Sequence, residues 1–117
     1  AHFCAADRCH FHMTTVIGKT LISTIGDWMV NGEREGLGGR ANASEPEMYF
    51  ETLVGKVARY GPCGCPEWDV GEVVQRYATA IAATAGHMAR CTEAASMRTY
   101  RDLVKRIAFS PLGAPTR

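Results

Sequence analysis

The chain has 117 residues, 46% of them hydrophobic and 21% charged, which describes one ordinary globular domain with enough apolar matter for a core. A formal net charge of +1 excludes an acidic surface imitating nucleic acid and gives no general electrostatic drive toward it. No apolar run approaches the roughly 18 residues that span a bilayer as a helix.

The chain opens on a segment dense in Cys and His: His2, Cys4, Cys9, His10 and His12. With Asp7 and Arg8 among them, these residues do not read as a signal peptide. Phe11–Ile17 and Thr20–Trp28 are rich in β-branched residues, and Gly18-Lys19 between them predicts a tight turn, hence a β-hairpin. Leu21, Ser23 and Ile25 would face one side of the second strand and Ile22 and Thr24 the other, so both faces are expected to be partly covered. Gly26 marks a bulge or a strand end. Asn31–Glu45, glycine-rich and without an apolar period, reads as a long loop. Its Gly36-Leu37-Gly38-Gly39-Arg40 lacks the Lys-Ser/Thr and the flanking strand and helix of a phosphate loop.

Glu47–Val57 has strand composition at Tyr49–Val54 and is expected to form a third strand. Arg59–Pro66 is turn-rich and holds Cys63 and Cys65. From Asp69 to about Ala95 the spacing predicts one long amphipathic helix. Asp69 and Glu72 sit at its start, and Val70, Val73, Val74, Tyr77, Ile81, Thr84 and Met88 lie on one face. Thr99 and Asp102 can open a second, short helix, with Tyr100, Leu103, Val104 and Ile107 on one face. The expected fold is therefore α+β: an antiparallel sheet of about three strands packed on one long helix, plus a short C-terminal helix. Residues 1–109 would form the single domain and 110–117 a flexible tail.

Five cysteines, an odd number, count against a secreted disulfide scaffold and favour a reducing cytoplasm. Clustered thiols there bind metal or are simply buried apolar groups. Cys9, His12, Cys63, Cys65, His87 and Cys91 could converge on a zinc ion, since His87 and Cys91 lie one helical turn apart. The spacing matches no standard zinc signature, and buried thiols with capping histidines are the simpler reading. Cys63 and Cys65 before a helix N-terminus could also be activated nucleophiles. A small hydrolase would need His10, His12, His87 and a thiol in one open pocket. Basic residues are scattered, with Lys56 and Arg59 near Tyr60 and a local excess from Arg98 onward, so a nucleic-acid-binding surface competes with a solvated helix face. Trp28, Arg40, Trp68, Arg101, Lys105 and Arg106 are the candidate binding residues; the tryptophans flank loops and could anchor a partner.

Three patches carry a resemblance. Cys9-x-Phe11-His12-x-x-Thr15-x-x-Gly18 runs into Leu21–Trp28; Tyr49–Val54 follows; Gly86-His87-x-x-x-Cys91 completes the set. Together they resemble small, uncharacterised accessory proteins of bacteriophages and prophages. The resemblance implies no catalytic role. It implies a setting, the cytoplasm of a bacterial host, and a partner: a host protein complex such as a CRISPR or other defence system, which the protein would bind and inhibit or modulate. The alternative expectation is a small zinc-stabilised nucleic-acid-binding module, and a weaker one is a small hydrolase using the His/Cys cluster.

Overall fold

The computed structural model describes residues 9–37, 47–97 and 100–107. Five strands come first: β1 Cys9–Ile17, β2 Thr20–Val30, β3 Glu33–Glu35, β4 Phe50–Tyr60 and β5 Pro66–Tyr77. Two helices follow, α1 Ala80–Ser96 and α2 Tyr100–Ile107. All pairings are antiparallel, in the order β1-β2-β4-β5, and β3 pairs with the end of β2. Trp28 pairs with Cys9 on one side and Glu35 on the other, so β3 lies along the same edge of β2 as β4.

The turn chemistry explains the hairpins. Ile17 pairs with Thr20 across Gly18-Lys19, and Gly18 takes φ 62°, as the first position of such a two-residue turn requires. Asn31 (φ 52°) and Gly32 (φ 80°) make the second turn, in the left-handed conformation those residues tolerate best. Glu33–Glu35 thereby returns as a strand inside the stretch expected to be loop. Residues 38–46 of that expected loop, and the expected tail 110–117, lie outside the described residues.

The expected architecture is corrected in one major respect. The segment from Asp69 is not a long helix: up to Tyr77 it is β5, and α1 begins only at Ala80, with 17 residues. The sheet accordingly has five strands rather than about three. The physical reason is a β-bulge. Thr52 pairs with Gln75 but Leu53 with Val73, leaving Val74 as an extra residue, so Val74 and Gln75 both face the helix side. A bulge breaks the period of two, and Val73-Val74-x-x-Tyr77 then imitates helical spacing. The β-branched and aromatic side chains suit the strand they form. Helix formation starts where Thr79, extended at φ −128°, accepts from the Ala82 N–H at 3.1 Å and caps the alanine-rich run.

Helix α1 lies on one face of the sheet, and the core beneath it is layered. At one end Ile22, Val54, Val74, Ala94 and Leu103 pack together, with Ile17, Cys91 and Met97 at the margin. At the other end Phe50, Tyr77 and Ala83 pack with Phe11, whose ring meets Phe50 edge-on at 5.3 Å. Gly26 leaves space for the Phe50 ring, where any Cβ would overlap it. Between these layers, at Thr24 and Thr52, the core is polar. The opposite side of β2 is also buried, at Leu21, Ser23 and Ile25, in line with two covered faces. Among the described residues no helix is long and apolar enough to cross a membrane.

Candidate functional site

The polar layer draws on all four long strands. Thr24 and Thr52 are direct cross-strand partners, as are Thr52 and Gln75; Thr15 comes from β1 and Tyr77 from the end of β5. His87 enters from α1 and is 0% exposed. Its Nδ1 lies 2.7 Å from Thr24 Oγ1 and its Nε2 lies 2.8 Å from Thr15 Oγ1.

The direction of every hydrogen bond follows from one end. Arg90 can only donate, and its Nη1 donates to Gln75 Oε1 at 3.0 Å. The Tyr77 hydroxyl donates to the same oxygen at 3.1 Å. That uses its one proton, so it accepts from Thr52 Oγ1 at 3.0 Å. Thr52 therefore accepts from Thr24 at 2.7 Å, and Thr24 accepts from His87 Nδ1–H. The network thus assigns the tautomer: Nδ1 carries the proton, and Nε2 accepts from Thr15. Thr15 also touches the Cys91 thiol. Burial pushes the His87 pKa below its usual 6.5, which keeps the ring neutral and suits one donor and one acceptor. Burial likewise pushes Tyr77 up, against the opposing pull of the Thr52 bond and the Arg90 charge. Burial raises Cys91 too, partly offset by Thr15. Arg90 is held in turn by Glu93. Thr24, Thr52, Gln75, Tyr77 and His87 are buried, with half-buried Thr15 and Arg90 at the two ends, and the chemistry of the layer is that of a structural clasp.

The expected metal ligands are not brought together. Cys9 begins β1 opposite Trp28, and His12 stands exposed on that strand with Nε2 2.9 Å from Thr14 Oγ1. His87 is enclosed by threonines with Cys91 a turn away, while Cys63 and Cys65 are exposed in the loop between β4 and β5. Among the described residues no three of His, Cys, Asp and Glu converge as a metal requires. A hydrolytic pocket is not assembled either, since His10 and His12 alternate away from Thr15 and His87 does not reach solvent.

The expected binding residues are also dispersed. Trp28 is half-buried on β2, and Trp68 is half-buried on β5, lying across Gly55 and Gly71. Both glycines give the indole room. Arg101 and Lys105 are exposed on α2. Arg40 and the Arg106 side chain lie outside the described residues.

An open concavity lies elsewhere. The β1–β2 turn meets the far half of β4, where the Val57 N–H donates to the Lys19 carbonyl at 2.8 Å. There Lys19, Lys56, Arg59, Tyr60 and Asp69 line a groove of about 370 Å³. Arg59 reaches Glu67 on β5 at 2.6 Å, whereas Lys19 and Lys56 form no ion pair among the described residues. Tyr60 is 58% exposed at its edge. Lys56, Arg59 and Tyr60 are adjacent enough to notice in the sequence. Lys19 and Asp69 join them only through strand register, which is why sequence reasoning missed the groove. Comparison with protein-family models, with curated proteins and with solved structures finds no match.

Proposed function

We propose that the protein is a non-enzymatic accessory factor of the bacteriophage type, which binds and modulates a host bacterial protein complex, for example a defence system, through the basic groove. The observation that carries this reading is the groove itself. It places Lys19 and Lys56 beside Arg59 and an exposed Tyr60, in a protein whose overall charge is close to neutral. A local positive field of this kind steers and orients an acidic surface segment, and an exposed tyrosine adds contact area. The closure of the His87 layer supports a working surface outside the core.

The test compares immobilised wild-type protein with a Lys19→Glu/Lys56→Glu variant and an Arg101→Glu/Lys105→Glu variant in host lysate, with quantitative mass spectrometry of what each retains. A complex kept by the wild type and the α2 variant, and lost by the groove variant, is the expected result. Equal retention by all three would sink the assignment. A second reading, nucleic-acid binding, is favoured by the exposed Tyr60 beside Lys56 and Arg59, a stacking platform next to cations. It requires affinity for single-stranded DNA or RNA that falls steeply with salt and is lost in the same groove variant.

A further inference from the structure

The tip of the β4–β5 hairpin holds two thiols that the groove does not use. Tyr60 pairs with Pro66 at the base, and residues 61–65 turn the chain. The Gly64 N–H donates to the Gly61 carbonyl at 2.9 Å, and the Gly61 N–H donates to the Cys65 carbonyl at 2.8 Å. Gly64 takes φ 85°, a conformation that glycine adopts without steric cost. In an extended chain, side chains two residues apart share a side but stand about 7 Å apart. Here the turn brings the Cys63 and Cys65 thiols near enough to influence each other. Both are exposed, in contrast to the half-buried Cys9 and Cys91.

We propose that Cys63 and Cys65 form a thiol–disulfide exchange site, whose substrate is the exposed disulfide of a low-molecular-weight thiol and whose oxidised form is a ring disulfide between the two residues. The Cys63 thiol gives its proton to solvent and its sulfur attacks one sulfur of R–S–S–R. The substrate S–S bond breaks, and one R–S⁻ leaves and takes up a proton. The mixed disulfide Cys63–S–S–R remains. Cys65 then loses its proton and attacks Cys63 Sγ; the mixed disulfide breaks and the second R–S⁻ leaves as thiol. Two protein thiols are oxidised and one substrate disulfide is reduced to two thiols. Either thiol can make the first attack, and the other, held beside it by the turn, then resolves the mixed disulfide.

The probe is glutathione disulfide, added to folded wild-type, Cys63→Ser and Cys65→Ser proteins. Acid quenching, alkylation and mass spectrometry of the 60–76 tryptic peptide, which carries only these two cysteines, read the result. Wild type should lose two hydrogens on that peptide and accumulate no glutathione adduct. Each single variant should accumulate a stable glutathione adduct at its remaining cysteine, which then has no neighbouring thiol to resolve it. Two results would overturn the proposal: wild type stopping at glutathione adducts without ring closure, or neither single variant forming an adduct. Both substitutions are at exposed positions, so loss of the fold does not confound the comparison.

Discussion

Replacing His87 by leucine tests whether the polar layer couples helix α1 to the sheet. Leucine fills a similar volume but offers neither donor nor acceptor. Half-buried Thr15 would lose the acceptor Nε2 at 2.8 Å and keep only its contact with the Cys91 thiol. Thr24 would lose the Nδ1–H at 2.7 Å. An orphaned buried donor costs about 1–3 kcal/mol and a lost neutral hydrogen bond about 1 kcal/mol, against some gain from the buried leucine. A net loss of about 1–3 kcal/mol is expected, out of the roughly 5–15 kcal/mol typical of a domain. Thr15→Val in wild type should destabilise as well, because Nε2 loses its donor. In the His87→Leu background the same change removes an orphan and should cost less or stabilise. Urea denaturation of the four proteins gives the coupling energy, expected at about 1 kcal/mol or more in favour of the double variant. Additivity within about 0.4 kcal/mol would refute an energetic coupling between Thr15 and His87.

Acidification should act through the same residue. The folded His87 pKa is depressed below 6.5, so between that value and 6.5 the unfolded chain binds the extra proton. Its contribution is complete above about pH 6.5 and is lost as pH falls, with a slope of up to about 1.4 kcal/mol per pH unit; His87→Leu should remove that slope from urea midpoints measured down to pH 5. Gly86→Ala should lower the melting temperature, though alanine favours helix by about 1 kcal/mol, because its Cβ would overlap the Tyr77 hydroxyl and ring. A net loss of about 1–3 kcal/mol is expected, and a raised melting temperature would contradict the packing of α1 on Tyr77. The Lys19→Glu/Lys56→Glu variant should unfold within about 0.5 kcal/mol of wild type, so that any change in binding is a surface effect.

What was legible in the sequence was local. The β-branched runs on either side of Gly18-Lys19 gave the first hairpin, because propensity and turn chemistry agreed there. Asn31-Gly32 is an equally clear turn, but the strand it returns is Glu-Arg-Glu, with no apolar residue to mark it. That short strand is held by main-chain pairing and by Arg34, which donates to Asp27 at 2.5 Å and lies 4.0 Å over the Tyr49 ring. The segment after Pro66 misled because the bulge at Val74 gave a strand the spacing of a helix. His87 was legible as an unusual residue on a helix edge. Its partners were not, since Thr15, Thr24 and Thr52 become neighbours only once three strands are in register. Arg90 finds Gln75 only because the bulge turns Gln75 to the helix side.

The polar layer also bears on how one register is selected. Sliding β4 by one residue against β2 would turn Thr52 to the opposite face. The Thr24 proton would lose its acceptor, Tyr77 would lose its donor, and each orphan would cost about 1–3 kcal/mol. Rotating α1 by one residue, about 100°, would withdraw His87 from both threonines. The apolar layers on either side set how closely the helix approaches, and they tolerate exchange among hydrophobic side chains. The hydrogen-bonded layer between them tolerates neither slip nor rotation. A sheet fixed in this way presents its far end in a defined geometry, and that end carries both exposed features. Arg59 and Tyr60 line the groove and lead directly into the loop of Cys63 and Cys65. Closing a disulfide there constrains the backbone that follows Tyr60, so the redox state of the tip should be fixed in any measurement of what the groove binds.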